Sequence, residues 1–162
     1  MNIKEILNNI DYSGQKSSDK ELINGSFDEG YKGWIIPFPE TVKILSENGI
    51  NFLRIHPKSD AIFQIIEGLE PNTKYKLTGK ARISPAIGVI DDGFPAIFGL
   101  HNDTFNHNTF VVDSTEFITG SVTLSTDAEG YLRVFLAKTT MGTESSPPEV
   151  TADFTGFIFE KA

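Results

Sequence analysis

The stretch "GLHNDTFNHNTF", residues 99–110, gathers His101, Asn102, Asp103, Asn106, His107 and Asn108 around Phe105. Amides and imidazoles at that density suit hydrogen bonding to a polar ligand, with Phe105 available to stack. The alternative is a polar hairpin loop whose Asn and Asp side chains satisfy their own turn backbone. His56, His101 and His107 are the only histidines, so a three-histidine metal site would need all of them. A second stretch, "NGSFDEGYKGW", residues 24–34, puts Asp28, Glu29, three glycines and the single tryptophan into eleven residues. It reads as a plain turn, as a metal corner, or as the lip of a binding site with Trp34 as its aromatic platform.

Carboxylate pairs occur at Asp91–Asp92 and at Glu67 and Glu70. A glycoside hydrolase needs two carboxyls facing each other across a cleft, about 5 to 9 Å apart. Adjacent turn residues do not specify that. No G-x-S-x-G or H-E-x-x-H occurs, and "GKARIS" lacks the preceding glycine of a phosphate-binding loop. The absence of cysteine removes disulfides, thiolate zinc sites and cysteine nucleophiles. The expectation is a protein without catalysis. A formal net charge of -8 repels phosphate backbones, so nucleic acid is not an expected partner. No apolar run has the length of a membrane span, so no membrane insertion is expected.

Any such site needs elements to hold it. The chain has 162 residues, of which 39% are hydrophobic and 11% aromatic, enough for one domain with a core. Within residues 1–20, "IKEILNNI" has Ile3, Ile6, Leu7 and Ile10 at helical spacing, and "DYSGQKSSDK" is linker-like. We read 1–20 as an N-terminal arm or linker, without the apolar core of a signal peptide, and 21–162 as the folded domain. From Glu21 onward the pattern is that of strands. "KYKLTGKARI" alternates, with Tyr75, Leu77, Gly79, Ala81 and Ile83 on one face and Lys74, Lys76, Thr78, Lys80 and Arg82 on the other. "YLRVFLAK" sets Leu132, Val134 and Leu136 against Tyr131, Arg133 and Phe135, and "SVTLS" aligns Val122 with Leu124. "FLRIHP", "AIFQIIEG", "PAIFGLH", "NTFVVD" and "FTGFIFEK" are short, β-branched or aromatic runs bounded by turn residues such as "EPNTK", "DDGFP" and "DAEGY". Roughly ten short strands without a long helix predict an all-β sandwich or barrel.

Four segments in order carry a family likeness. "ELINGSFDEGYKGW" resembles the opening of carbohydrate-binding modules of the galactose-binding-like jelly-roll type, families four, nine, sixteen and twenty-two. "ENGINFLRI" resembles their next strand, "IFQIIEGLEPNTKYKLTGKARI" their centre, and "VTADFTGFIFEKA" their last strand. The resemblance spans residues 21–162. It implies a β-sandwich jelly roll of two antiparallel sheets and a non-catalytic module that targets an attached glycoside hydrolase or surface protein to a polysaccharide. Such a role suits a secreted or cell-surface protein. The alternative is a structural or adhesion module of a surface or phage assembly.

The resemblance also implies a structural calcium between the first and last strands. Carried over by position, Asp28 and Asp153 would supply carboxylates, and carbonyls near Glu47 and Ile50 the remaining oxygens. Two positions depart from the pattern in that region: Asp28 stands where Glu is usual, and Thr155 where a second acid is frequent. Sugar recognition needs an aromatic platform and planar polar groups. The candidates are Trp34, Phe63, Arg82, His101, Phe105, Arg133 and Phe135. Phe63 and Phe135, on strand faces opposite the apolar side, either stack on ligand or lie beneath a covering loop. Trp34 either presents a platform or packs at the sandwich edge.

Overall fold

The computed structural model describes residues 21–56, 61–85, 95–102, 104, 106–138 and 150–162. The arm read over residues 1–20 lies outside them, as do Asp91, Asp92, Asp103 and Phe105. Among the described residues there are nine strands: β1 Val42–Glu47, β2 Ile50–Ile55, β3 Ile62–Ile66, β4 Lys74–Pro85, β5 Ala96–His101, β6 His107–Val112, β7 Ile118–Ser125, β8 Leu132–Lys138 and β9 Val150–Lys161. They form two antiparallel sheets, β1-β2-β9-β4-β7 and β3-β8-β5-β6. This is the β-sandwich jelly roll that the resemblance implies, and it takes the sandwich side of the sandwich-or-barrel alternative that the strand spacing predicts. The described helical structure is one 3-10 turn, Pro39–Thr41. β1 was not marked by alternation; it forms because Asn48 and Gly49, both at positive φ, fold "VKILSE" back onto β2.

The alternation in β4 and β8 sorts side chains as expected. Leu77, Ala81 and Ile83 from one sheet meet Leu132, Val134 and Leu136 from the other in the main core, with Phe98, Phe154 and Phe157. β9 keeps this face only by changing phase. At Gly156, with φ +68°, the register against β4 slips between Thr78 and Lys80. A bulge of this kind puts an extra residue in one strand, and the inward positions run Phe154 then Phe157. The Phe157 ring then lies where a side chain on Gly79 would be, 2.3 Å from an added Cβ. It meets Phe98 edge-on, with centroids 5.2 Å apart, and Trp34 at 6.2 Å.

Residues 21–35 close one side of the sandwich. Gln64, fully buried in β3, accepts from Ile23 N–H at 2.8 Å and donates to Ile23 C=O at 3.0 Å. One amide side chain thus imitates a strand pairing at the sheet edge. Ile35 completes the edge with a backbone bridge to Phe63.

Candidate functional site

The register of the four-stranded sheet sets its outer face in three rows. Ala137, Ile97 and Val111 form the first, from β8 across β5 to β6. Phe63, Phe135, Gly99 and Thr109 form the second, and Ile65, Arg133, His101 and His107 the third. The face therefore grades from aliphatic through aromatic to polar.

Accessibility divides this face along its strands. Ile35, Ala61, Phe63, Ile65, Ile97, Phe135 and Ala137 make a second buried apolar cluster, with Tyr131 packed against it. Phe63 and Phe135 are completely buried. This corrects their expected role as stacking platforms: a ring without exposed surface offers nothing to a sugar. Gly99 is small because the Asn108 carbonyl and the Phe135 ring fill its side-chain space. The open part of the face is β6, where His107, Thr109 and Val111 are exposed, Val111 at 55%.

At the polar end Arg133 is half-buried and held on two sides. Its Nη1 lies 3.2 Å from His101 Nδ1, and its Nη2 donates to the Tyr131 hydroxyl at 3.3 Å. The guanidinium also sits over the Tyr131 ring, 5.0 Å from its centroid. A guanidinium only donates, so the contact requires His101 Nδ1 to accept and the ring proton to sit on Nε2. His101 is buried, so it orients Arg133 and does not itself meet bulk solvent. The sequence pointed to Arg133 and His101 separately; only the register shows them as neighbours. Tyr131 was missed as a partner, although its phase with Arg133 was visible.

Trp34 takes the packing alternative. It is buried, 5.2 Å from Phe27 and on the edge of Phe157, and its Nε1 donates to Asn24 C=O at 3.0 Å. Asn24, at positive φ, organises the whole loop. Its amide donates to the Gly30 and Lys32 carbonyls at 2.8 and 3.0 Å, and its oxygen accepts from Glu29 N–H at 3.0 Å. These bonds explain "NGSFDEGYKGW" better than either a metal or a tryptophan platform.

Solved structures share this architecture. The module TmCBM61, solved in complex with β-1,4-galactotriose, matches with a TM-score of 0.62 at 13% identity, over 90% of this chain and 100% of its own. A structure described as Family 16 Carbohydrate Binding Module-2 matches with a TM-score of 0.63 at 14% identity, covering 86% of this chain and 99% of that one. The fold is the jelly roll of carbohydrate-binding modules. The enzymatically active domain of bacteriophage CBA120 tailspike protein 4 contains it too, with a TM-score of 0.56 at 13% identity, over 87% of this chain and 21% of the tailspike chain. No protein-family model matches the chain, and no curated protein matches it.

The jelly roll separates two residues expected on one binding face. Arg82 is in β4, on the outer side of the five-stranded sheet, not beside Arg133. There the register sets Arg54 of β2, Asp153 of β9 and Arg82 of β4 directly across from one another. Arg54 holds the buried Asp153 through Nε and Nη2 at 2.8 and 3.1 Å, and Arg82 Nε donates to it at 2.8 Å. Arg82 Nη2 reaches Glu47 at 2.9 Å, and Arg54 Nη2 reaches Ser84 Oγ at 3.0 Å. Phe52 lies beneath both guanidiniums, at 5.6 and 5.1 Å, and Phe117 faces Arg82 at 4.3 Å. The Arg82 hydrogen bond and charge hold the Glu47 carboxyl below its usual range.

This network also bears on calcium. The donor set carried over by resemblance does not fit the ion. Asp153, the buried carboxylate of that set, is occupied by two guanidiniums. Asp28 accepts from Asn51 Nδ2 at 2.9 Å, and the Thr155 hydroxyl donates to Asn51 C=O at 2.6 Å. The Ile50 side chain is exposed and its residue pairs with Glu47 in the hairpin. Among the described residues no three His, Asp or Glu side chains are grouped to hold a metal. A neutral amide and a hydroxyl stitch the corner that calcium would have tied.

Proposed function

We propose that the chain is a non-catalytic carbohydrate-binding module that brings an attached enzyme or surface protein to a polysaccharide. The glycan lies on the outer face of the four-stranded sheet, at its polar end and over β6. The observation that carries this reading is Arg133, a guanidinium fixed in orientation by His101 and Tyr131 beside an exposed strand. A fixed donor pays little ordering entropy when it meets a hydroxyl. The shared fold with a galactotriose complex supports the ligand class. The carboxylates Asp153, Glu47 and Glu70 are engaged by Arg54, Arg82 and Lys161, which suits binding better than acid–base chemistry.

Native affinity gels with soluble polysaccharides, followed by a glycan array, test the reading. Wild type is retarded by at least one glycan. Arg133→Ala weakens that binding about tenfold, in line with a hydrogen bond from a charged donor, while Arg82→Ala leaves it unchanged. The likeness to a tailspike favours a second reading, a structural or adhesion module. A clean negative across plant, microbial and host glycans would select it.

A further inference from the structure

We infer that Tyr31 and Phe38 are the sugar-stacking platforms of this module, on the loop segment that flanks β3. This rests on the carbohydrate-binding reading and extends it beyond the sheet. Binding aromatics must be both exposed and held still, because a ring that must be ordered on binding loses part of what stacking gives. Phe63 and Phe135 of the sheet face, completely buried, fail the first condition. Tyr31 and Phe38 are exposed at 42% and 46% and meet both.

Tyr31 sits between Gly30 and Lys32, whose carbonyls are clamped by the one Asn24 amide. Its own carbonyl accepts from Trp34 N–H at 3.0 Å. The buried Trp34 and the half-buried Asn24 therefore fix the backbone that displays Tyr31. Phe38 is flanked by Pro37 and Pro39, which restrict the backbone on both sides. Its carbonyl accepts both the Thr41 N–H at 3.0 Å and the Thr41 hydroxyl at 2.7 Å. Ile35, three residues earlier, is bridged to Phe63 at the margin of the sheet. Three residues of chain reach at most about 10 Å, so Phe38 lies close to that margin.

The chemistry favours a sugar over a protein partner. In sequence Tyr31 is flanked by Gly30 and Lys32, and Phe38 by Pro37 and Pro39, whereas a protein interface needs a contiguous apolar patch. A single flat ring matches the C–H face of one pyranose.

The test uses the whole chain in native gels containing galactan, xylan, mixed-linkage β-glucan or galactomannan. On the glycan that retards wild type, Tyr31→Ala and Phe38→Ala each weaken binding about fivefold to tenfold, the range of one aromatic contact. Tyr31→Phe and Phe38→Tyr keep it, and melting temperatures of all four stay close to wild type because both rings are exposed. If the double alanine variant is retarded as strongly as wild type, the inference falls while the binding reading stands. If wild type is retarded by none of these and binds nothing on an array of plant, microbial and host glycans, both fall.

Discussion

The two outer faces of the sandwich each carry arginine and phenylalanine, yet they use them in opposite ways. On the five-stranded sheet, Arg54 and Arg82 close on Asp153 and Glu47, and their planes cover Phe52. Charge and ring are both consumed inside the protein. On the four-stranded sheet, Phe63 and Phe135 are sunk in an apolar cluster, while Arg133 is turned sideways onto a histidine and a tyrosine. The lesson is that residue type does not mark a binding face. What differs is what the neighbouring strands set beside each guanidinium: a buried carboxylate for Arg54 and Arg82, a histidine and a tyrosine for Arg133.

This contrast can be broken experimentally, beginning where the effect is largest. Phe135→Ala removes a fully buried ring and should cost about 3 to 5 kcal/mol in urea denaturation, with a corresponding drop in midpoint. A loss under about 1 kcal/mol would mean the ring is not packed, and would return it to the list of platforms. Asp153→Ala leaves two largely buried guanidiniums facing each other. It should cost about 3 kcal/mol without altering glycan affinity. Weakened binding in this variant, at unchanged fold, would move the site to the five-stranded sheet.

Acid titration gives a smaller effect with a defined sign. Glu47 has a lowered folded value through its hydrogen bond and charge interaction with Arg82. Its contribution is complete above the ordinary carboxylate value of about 4.3 and is lost as pH falls through the lower folded value. His56 is lowered chiefly by burial and then by Lys43 and Arg54. The folded state prefers it neutral, so stability begins to fall below about pH 6.5. Thermal melts from about pH 8 to about pH 3 should show both limbs; His56→Gln flattens the upper one and Glu47→Gln the lower. The smallest expected effect is none: EDTA leaves the melting temperature unchanged, because Asn51 already ties Asp28 to Thr155. A fall in EDTA, reversed by calcium, would show that the corner rearranges to take the ion.

Much of the fold was legible because strands announce themselves locally. A period of two in β4 and β8 names the inward residues without any knowledge of partners. The bulge in β9 was signalled only by Gly156, and a glycine alone does not say which way Phe157 will turn. The site was far less legible. Arg82 and Arg133 look alike in sequence, each an outward residue of an alternating strand. Their difference lies in the neighbours brought alongside, Asp153 for one and His101 for the other, at separations of 71 and 32 residues.

By itself, then, the sequence determined the class of the protein: short alternating strands, turn chemistry, no thiol and a net negative surface leave an all-β sandwich with little room for phosphate ligands or cysteine chemistry. Tertiary structure alone decided which aromatics are core and which are displayed. Burial is set by what lies above a residue, and that is supplied by distant segments rather than by its own strand. Thus Phe135 disappears into a cluster, Trp34 becomes the anchor of its loop, and among the described residues Tyr31 and Phe38, ordinary loop residues in the sequence, are the rings held out to solvent.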